Sequence, residues 1–172
     1  MKSIVISSLV AALLSPAMVF AADGTINFTG SVVASTCTYG ASGKSQTVAL
    51  PRVSASALSA ANTTAGDTAF DVQLENCGST SKDVAIRLEG GAFDAATGNL
   101  KNTATTGAAT NVMVQVADRN TNTAIRAPGN TAVVQSTTDG KATIPLLAKY
   151  VATGPATAGS VTSAVNFSIV YP

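Results

Sequence analysis

The chain has 172 residues, with ten Lys and Arg against nine Asp and Glu and no histidine at all. A near-neutral chain with no basic cluster is a poor partner for nucleic acid or an anionic membrane surface. The missing histidine removes the Ser-His-Asp and Cys-His arrangements of nucleophilic catalysis and the commonest metal ligand, so no enzyme activity, metal or other cofactor is expected.

Residues 1–21 read as a secretory signal peptide. Lys2 supplies the positive start, Ile4 to Leu14 is an apolar run broken by Ser7 and Ser8, and Val19-Phe20-Ala21 offers small residues for cleavage. The apolar run is too short to span a bilayer. Cleavage after Ala21 removes Lys2 and leaves one domain's length of chain with balanced charge. No charged residue stands between Gly24 and Gly43, and Thr25 to Val33 reads as an uncharged strand. Such a strand is an aggregation hazard unless a partner buries it. In an exported chain, Cys37 and Cys77 are expected to pair. Closing a loop of that size is worth about 4 kcal/mol in the chain-entropy picture, a structural role.

Alternating apolar runs separated by turn residues fill the rest, which predicts an all-β sandwich. Thr47 to Leu50 reads as a short strand ended by Pro51, and Ser54 to Ala61 as a brief helix broken by Asn62 to Gly66. Phe70, Val72 and Leu74 alternate with Asp71, Gln73 and Glu75 in a half-buried strand leading to Cys77. Val84, Ile86 and Leu88 repeat the pattern, and Gly90 to Thr110 is a polar loop or long hairpin. Val112, Val114 and Val116 form a strand turned by Asp118-Arg119-Asn120, and weak strands are expected around Ile125 and Val133-Val134. Ile144, Leu146, Ala148 and Tyr150 form a clear strand, followed by a loop at Gly154-Pro155. The closing run puts Val165, Phe167, Ile169 and Tyr171 on one face and is expected to continue to Pro172, so that face needs burial and a pairing partner.

Residual motifs carry little chemistry. Ser79-Thr80-Ser81-Lys82 matches Ser-x-x-Lys, but in a turn and without its companion motifs. Asp67, Asp71 and Glu75 belong to a period-two segment, where they form a solvated face. The Asn-x-Ser/Thr triplets at Asn27, Asn62 and Asn166 are chance matches in a chain rich in Asn and Thr.

Five segments together resemble the major subunit of type 1-like fimbriae of the chaperone–usher family. They are GTINFTGSVVASTC (Gly24 to Cys37), FDVQLENC (Phe70 to Cys77), TNVMVQVADR (Thr110 to Arg119), TIPLLAKYVATG (Thr143 to Gly154) and NFSIVYP (Asn166 to Pro172). The penultimate Tyr171 and the fourteenth residue from the end, Gly159, match that family's C-terminal signature. The resemblance implies an incomplete immunoglobulin-like β-sandwich completed by a donor strand from a neighbouring subunit. Residues 22–36 would be the donor-strand extension and 37–172 the pilin domain. Donor residues would be Ile26, Phe28 and Val32, with Gly30 at the family's glycine; Gly159, Phe167, Ile169 and Tyr171 would form the C-terminal strand that accepts it and binds the chaperone. Pro172 departs from the usual polar terminal residue and offers no N–H.

The implied partners are identical subunits joined head-to-tail, a periplasmic pilus chaperone, an outer-membrane usher and minor tip subunits. The implied location is a surface fimbria reached through the periplasm, supporting adhesion and biofilm formation. A minor adaptor or tip subunit is the alternative within the family. From the residues alone, Ile26 to Val33 has a second reading as an ordinary first strand of its own sandwich, giving a soluble monomer; the resemblance weighs well against it.

Overall fold

The computed structural model describes residues 29, 37–40, 45–129 and 134–172. The chain divides into two units, residues 1–32 and 33–172. The expected signal peptide, the donor residues Ile26, Phe28, Gly30 and Val32, and the expected boundary at residue 36 lie outside the described residues. All the strands described belong to the second unit.

Each strong period-two run forms a strand, because one row of side chains can then be buried while the backbone pairs sideways. The strands are β1 (Thr38–Tyr39), β2 (Thr64–Glu75), β3 (Asp83–Gly91), β4 (Leu100–Lys101) and β5 (Val112–Asp118), then β6 (Ala124–Ile125), β7 (Gln135–Ser136), β8 (Ala142–Ala152) and β9 (Val165–Val170). All the ladders between them are antiparallel. The larger sheet runs β1-β2-β8-β5-β4, with β6 also on β5; the smaller runs β7-β3-β9. Val72 and Leu74 of β2, Val114 and Val116 of β5, and Ile144 and Leu146 of β8 pack against Val84, Ile86 and Leu88 of β3 in one core. The apolar rows of the two sheets thus face each other, as in a sandwich.

Cys37 and Cys77 are joined by a disulfide. It lies just outside the β1–β2 ladder, where Thr38 pairs with Glu75, so it pins the start of the domain to the end of its longest strand. Ser54 caps a single 3-10 turn, Ala55–Leu58, through Ser56 N–H, and this turn buries Leu58.

Three sequence expectations need correction, and a fourth is refined. Thr47 to Leu50 belongs to no described strand, although Leu50 packs on the core. The Asn62–Gly66 run does follow the 3-10 turn, with Asn62 in a turn at φ 67°, but only its first two residues separate elements: β2 begins at Thr64, and Gly66, at φ 75°, sits where its register shifts. A glycine in that conformation supports a bulge rather than a break. The weak strand expected around Val133-Val134 is the short β7 at Gln135–Ser136, Val133 itself lying outside the described residues. The final strand ends at Val170, so Tyr171 and Pro172 lie beyond it.

Candidate functional site

β9 is the edge of the smaller sheet. It pairs with β3 on one side, from Ala85↔Val170 to Leu88↔Phe167, and with no described strand on the other. An edge of this kind presents unpaired backbone N–H and C=O groups. Its core-facing row is also unfinished. Val84 and Ile144 are 0% exposed, whereas Val165, Phe167, Ile169 and Tyr171 are only half-buried although they pack on the same core.

Other half-buried apolar side chains continue this row: Tyr39, Leu50, Phe70, Phe93, Tyr150 and Val161 also touch the core with one face only. Covering the open half of such a side chain is worth about 1 kcal/mol. The gap beside β9 therefore reads as a channel in the core with one wall missing.

Contacts at either end define its borders. At one end the Tyr171 hydroxyl accepts the backbone N–H of Cys37, and the Lys82 ammonium stands 5.8 Å from the centre of the same ring. Beside it, Tyr39 meets Phe167 edge-on, with ring centres 5.3 Å apart. At the other end is a cavity of about 480 Å³ whose lining includes Leu50, Val53, Leu58, Ala109, Tyr150 and Val161. Burial there pushes the Tyr150 phenol above its ordinary value.

The expected site residues separate in this geometry. Phe167, Ile169 and Tyr171 share the open row, as does Val165, which the family signature does not single out. Gly159 is not on the C-terminal strand; it lies in the preceding connection, against the 107–109 loop. A Cβ there would press on the Ala109 amide nitrogen and stand 2.6 Å from the Gly107 carbonyl oxygen. Its hydrogen is needed for close approach of two backbones at the cavity wall. Ser79 to Ser81 lie in the connection between β2 and β3, and the Ser81 hydroxyl donates to the Thr137 carbonyl, a structural contact.

The described residues thus form a β-sandwich whose smaller sheet ends in an edge strand with a half-buried apolar row. The Fimbrial protein family model matches residues 26–172. The chain is 40% identical over 166 residues to the major fimbrial subunit SMF-1 of Stenotrophomonas maltophilia strain K279a, covering 91% of this chain and 97% of that one. It is likewise 40% identical over 167 residues to the F17 fimbrial protein of Escherichia coli, with 91% and 92% covered. Its fold matches a chain of a solved chaperone–usher pilus with a TM-score of 0.62 at 19% identity, covering 88% of this chain and 96% of that one. The chain belongs to the Fimbrial protein family. Its fold is the incomplete immunoglobulin-like sandwich of chaperone–usher pilins, and it is a structural fimbrial subunit.

Proposed function

We propose that this subunit polymerises head-to-tail by donor-strand exchange, Thr25 to Val33 of one copy filling the channel beside β9 of its neighbour. The half-buried row Val165, Phe167, Ile169 and Tyr171 on an open edge carries this reading. Ile26, Phe28 and Val32 would contribute roughly 1.5–3 kcal/mol each on burial, beyond the ladder to β9. Gly30 would face a shallow point of the channel. Donor and acceptor regions differ, so the contact does not close on itself and builds a filament. Before assembly a periplasmic chaperone would cover the channel, and an outer-membrane usher would exchange it for the next subunit. The product is an adhesive surface fimbria serving attachment and biofilm formation, with minor subunits at its tip.

The test relocates the donor. In the chain lacking its signal peptide, Thr25 to Val33 is deleted, and a copy is appended after Pro172 through a flexible linker. This variant fills its own channel and has no donor to offer. It should run as a monomer in size-exclusion chromatography and melt far above the unmodified mature chain. The reading fails if the unmodified chain is already a stable monomer and relocation changes nothing.

A further inference from the structure

The cavity end of the channel has two unlike walls. One is the Leu50–Val53 stretch, which belongs to no described strand. The other is the connection from Ala158 to Val161, stitched to the 101–110 loop around a single side chain, Asn102. The Asn102 Nδ2 group donates to the carbonyls of Ala109 at 3.0 Å and Ser160 at 2.9 Å. Its Oδ1 accepts the backbone N–H groups of Ala104 at 3.1 Å and Thr162 at 3.0 Å. Both carboxamide hydrogens and both acceptor positions are thereby used. Thr103 adds two bonds to the Thr162 carbonyl, through its N–H at 2.7 Å and its hydroxyl at 3.0 Å.

None of these four backbone groups belongs to a named strand, although Ser160 also makes an isolated bridge, its N–H donating to the Gly107 carbonyl at 2.7 Å and its carbonyl accepting the Ala109 N–H at 3.0 Å. The segment holding Gly159 and Val161 is thus fixed by Asn102, Thr103 and that single bridge rather than by a sheet. We propose that Asn102 is a positioning residue for strand capture: it holds the Ala158–Val161 wall in place before a donor arrives, so that the cavity is open to an incoming side chain. This rests on the strand-acceptor reading above and adds the residue that sets the capture rate. Once a side chain is seated, it supports the wall itself, and Asn102 matters less. The signature is therefore kinetic.

The measurement uses the full mature chain and a fluorescent synthetic peptide with the sequence of Thr25 to Val33. Peptide uptake is followed by anisotropy, and the filled complex is then melted. Asn102→Ala and Asn102→Asp should slow uptake about tenfold while leaving the melting temperature of the filled complex nearly unchanged. Asp keeps both acceptor contacts but cannot donate to the Ala109 and Ser160 carbonyls, which isolates the donors. Thr103→Val, which removes one exposed hydroxyl contact and spares folding, should slow uptake about twofold. Wild-type uptake in the Asn102 variants overturns the proposal, as does a loss of rate matched by an equal loss of stability in the filled complex. If the Asn102 variants do not fold, an unchanged rate in Thr103→Val overturns it. Should the unaltered chain refuse the peptide, the strand-acceptor reading itself fails, a result visible before any variant is compared.

Discussion

The hydroxyl of Tyr171 accepts a hydrogen bond from the backbone N–H of Cys37, joining residues 134 positions apart. Cys37 is held by the disulfide to Cys77, so the end of the smaller sheet is tied to a covalently fixed point on the larger one. The bond closes one end of the channel beside β9, and the Lys82 ammonium over the Tyr171 ring holds the phenol from a second direction. Removing only the hydroxyl, as in Tyr171→Phe, should cost about 0.5–1.5 kcal/mol. Thermal melts of the self-filled variant check the size of the loss, and hydrogen exchange at the Cys37 amide checks its place. Unchanged protection there would show that the hydroxyl contact is dispensable.

Loss of the disulfide should be larger. Cys37→Ser frees a loop spanning 40 positions and should lower stability by about 4 kcal/mol in the chain-entropy picture. Chemical denaturation of the self-filled variant under oxidising and reducing conditions measures it. The substitution and the reductant should converge on the same midpoint.

Gly159 and Gly154 make a paired test of close approach. At Gly159 a Cβ meets backbone atoms at 2.6 Å or closer, whereas at Gly154 the nearest neighbour is the Asn111 side chain at an ordinary 3.6 Å. Gly159→Ala should therefore destabilise the domain by roughly 1–3 kcal/mol through overpacking, and Gly154→Ala by far less. Equal melting temperatures for the two variants would contradict a tightly packed backbone at the cavity wall.

Tyr150 predicts an alkaline weakness. Burial raises its folded-state value above the ordinary 10.0, so the folded protein favours the neutral phenol. The stability gained this way is fully present below pH 10 and is lost as pH rises through the folded value. Tyr150→Phe should flatten this part of the stability profile above about pH 10, read by urea midpoints at stepped pH. Because Tyr150 lines the cavity, a seated strand should push its titration higher still, visible in the ultraviolet absorbance of phenolate.

Much of the fold is legible in the sequence because alternation reports burial directly. Val84, Ile86 and Leu88 read as a strand and become β3, with all three inside; Ile144 and Leu146 do the same in β8. Alternation does not report pairing, however. Thr47 to Leu50 carries a similar pattern yet forms no strand among the described residues, since a strand also needs a neighbour for its backbone. Gly66 reads as part of a helix breaker because a glycine that ends a helix and one that bulges a strand are the same letter. For the candidate site, the apolar row of β9 is plain in the sequence, but Asn102 is hidden. Its role lies in four bonds to backbone groups, two of them about 60 positions away, and a lone asparagine in a polar stretch has no periodicity to reveal it.

The disulfide also has a mechanical consequence. Tension entering the domain through the residues ahead of Cys37 passes straight across the sulfur bridge to Cys77, bypassing the intervening chain. β1, the Leu50–Val53 wall, the 3-10 turn and all of β2 lie inside that bypassed loop. However hard a subunit is pulled, those residues cannot be drawn out, which withholds roughly 130 Å of contour length from extension. Within residues 37–172, what can lengthen under load lies after Cys77, so the elements inside the loop keep their covalent length while the β3–β9 pair is left to yield.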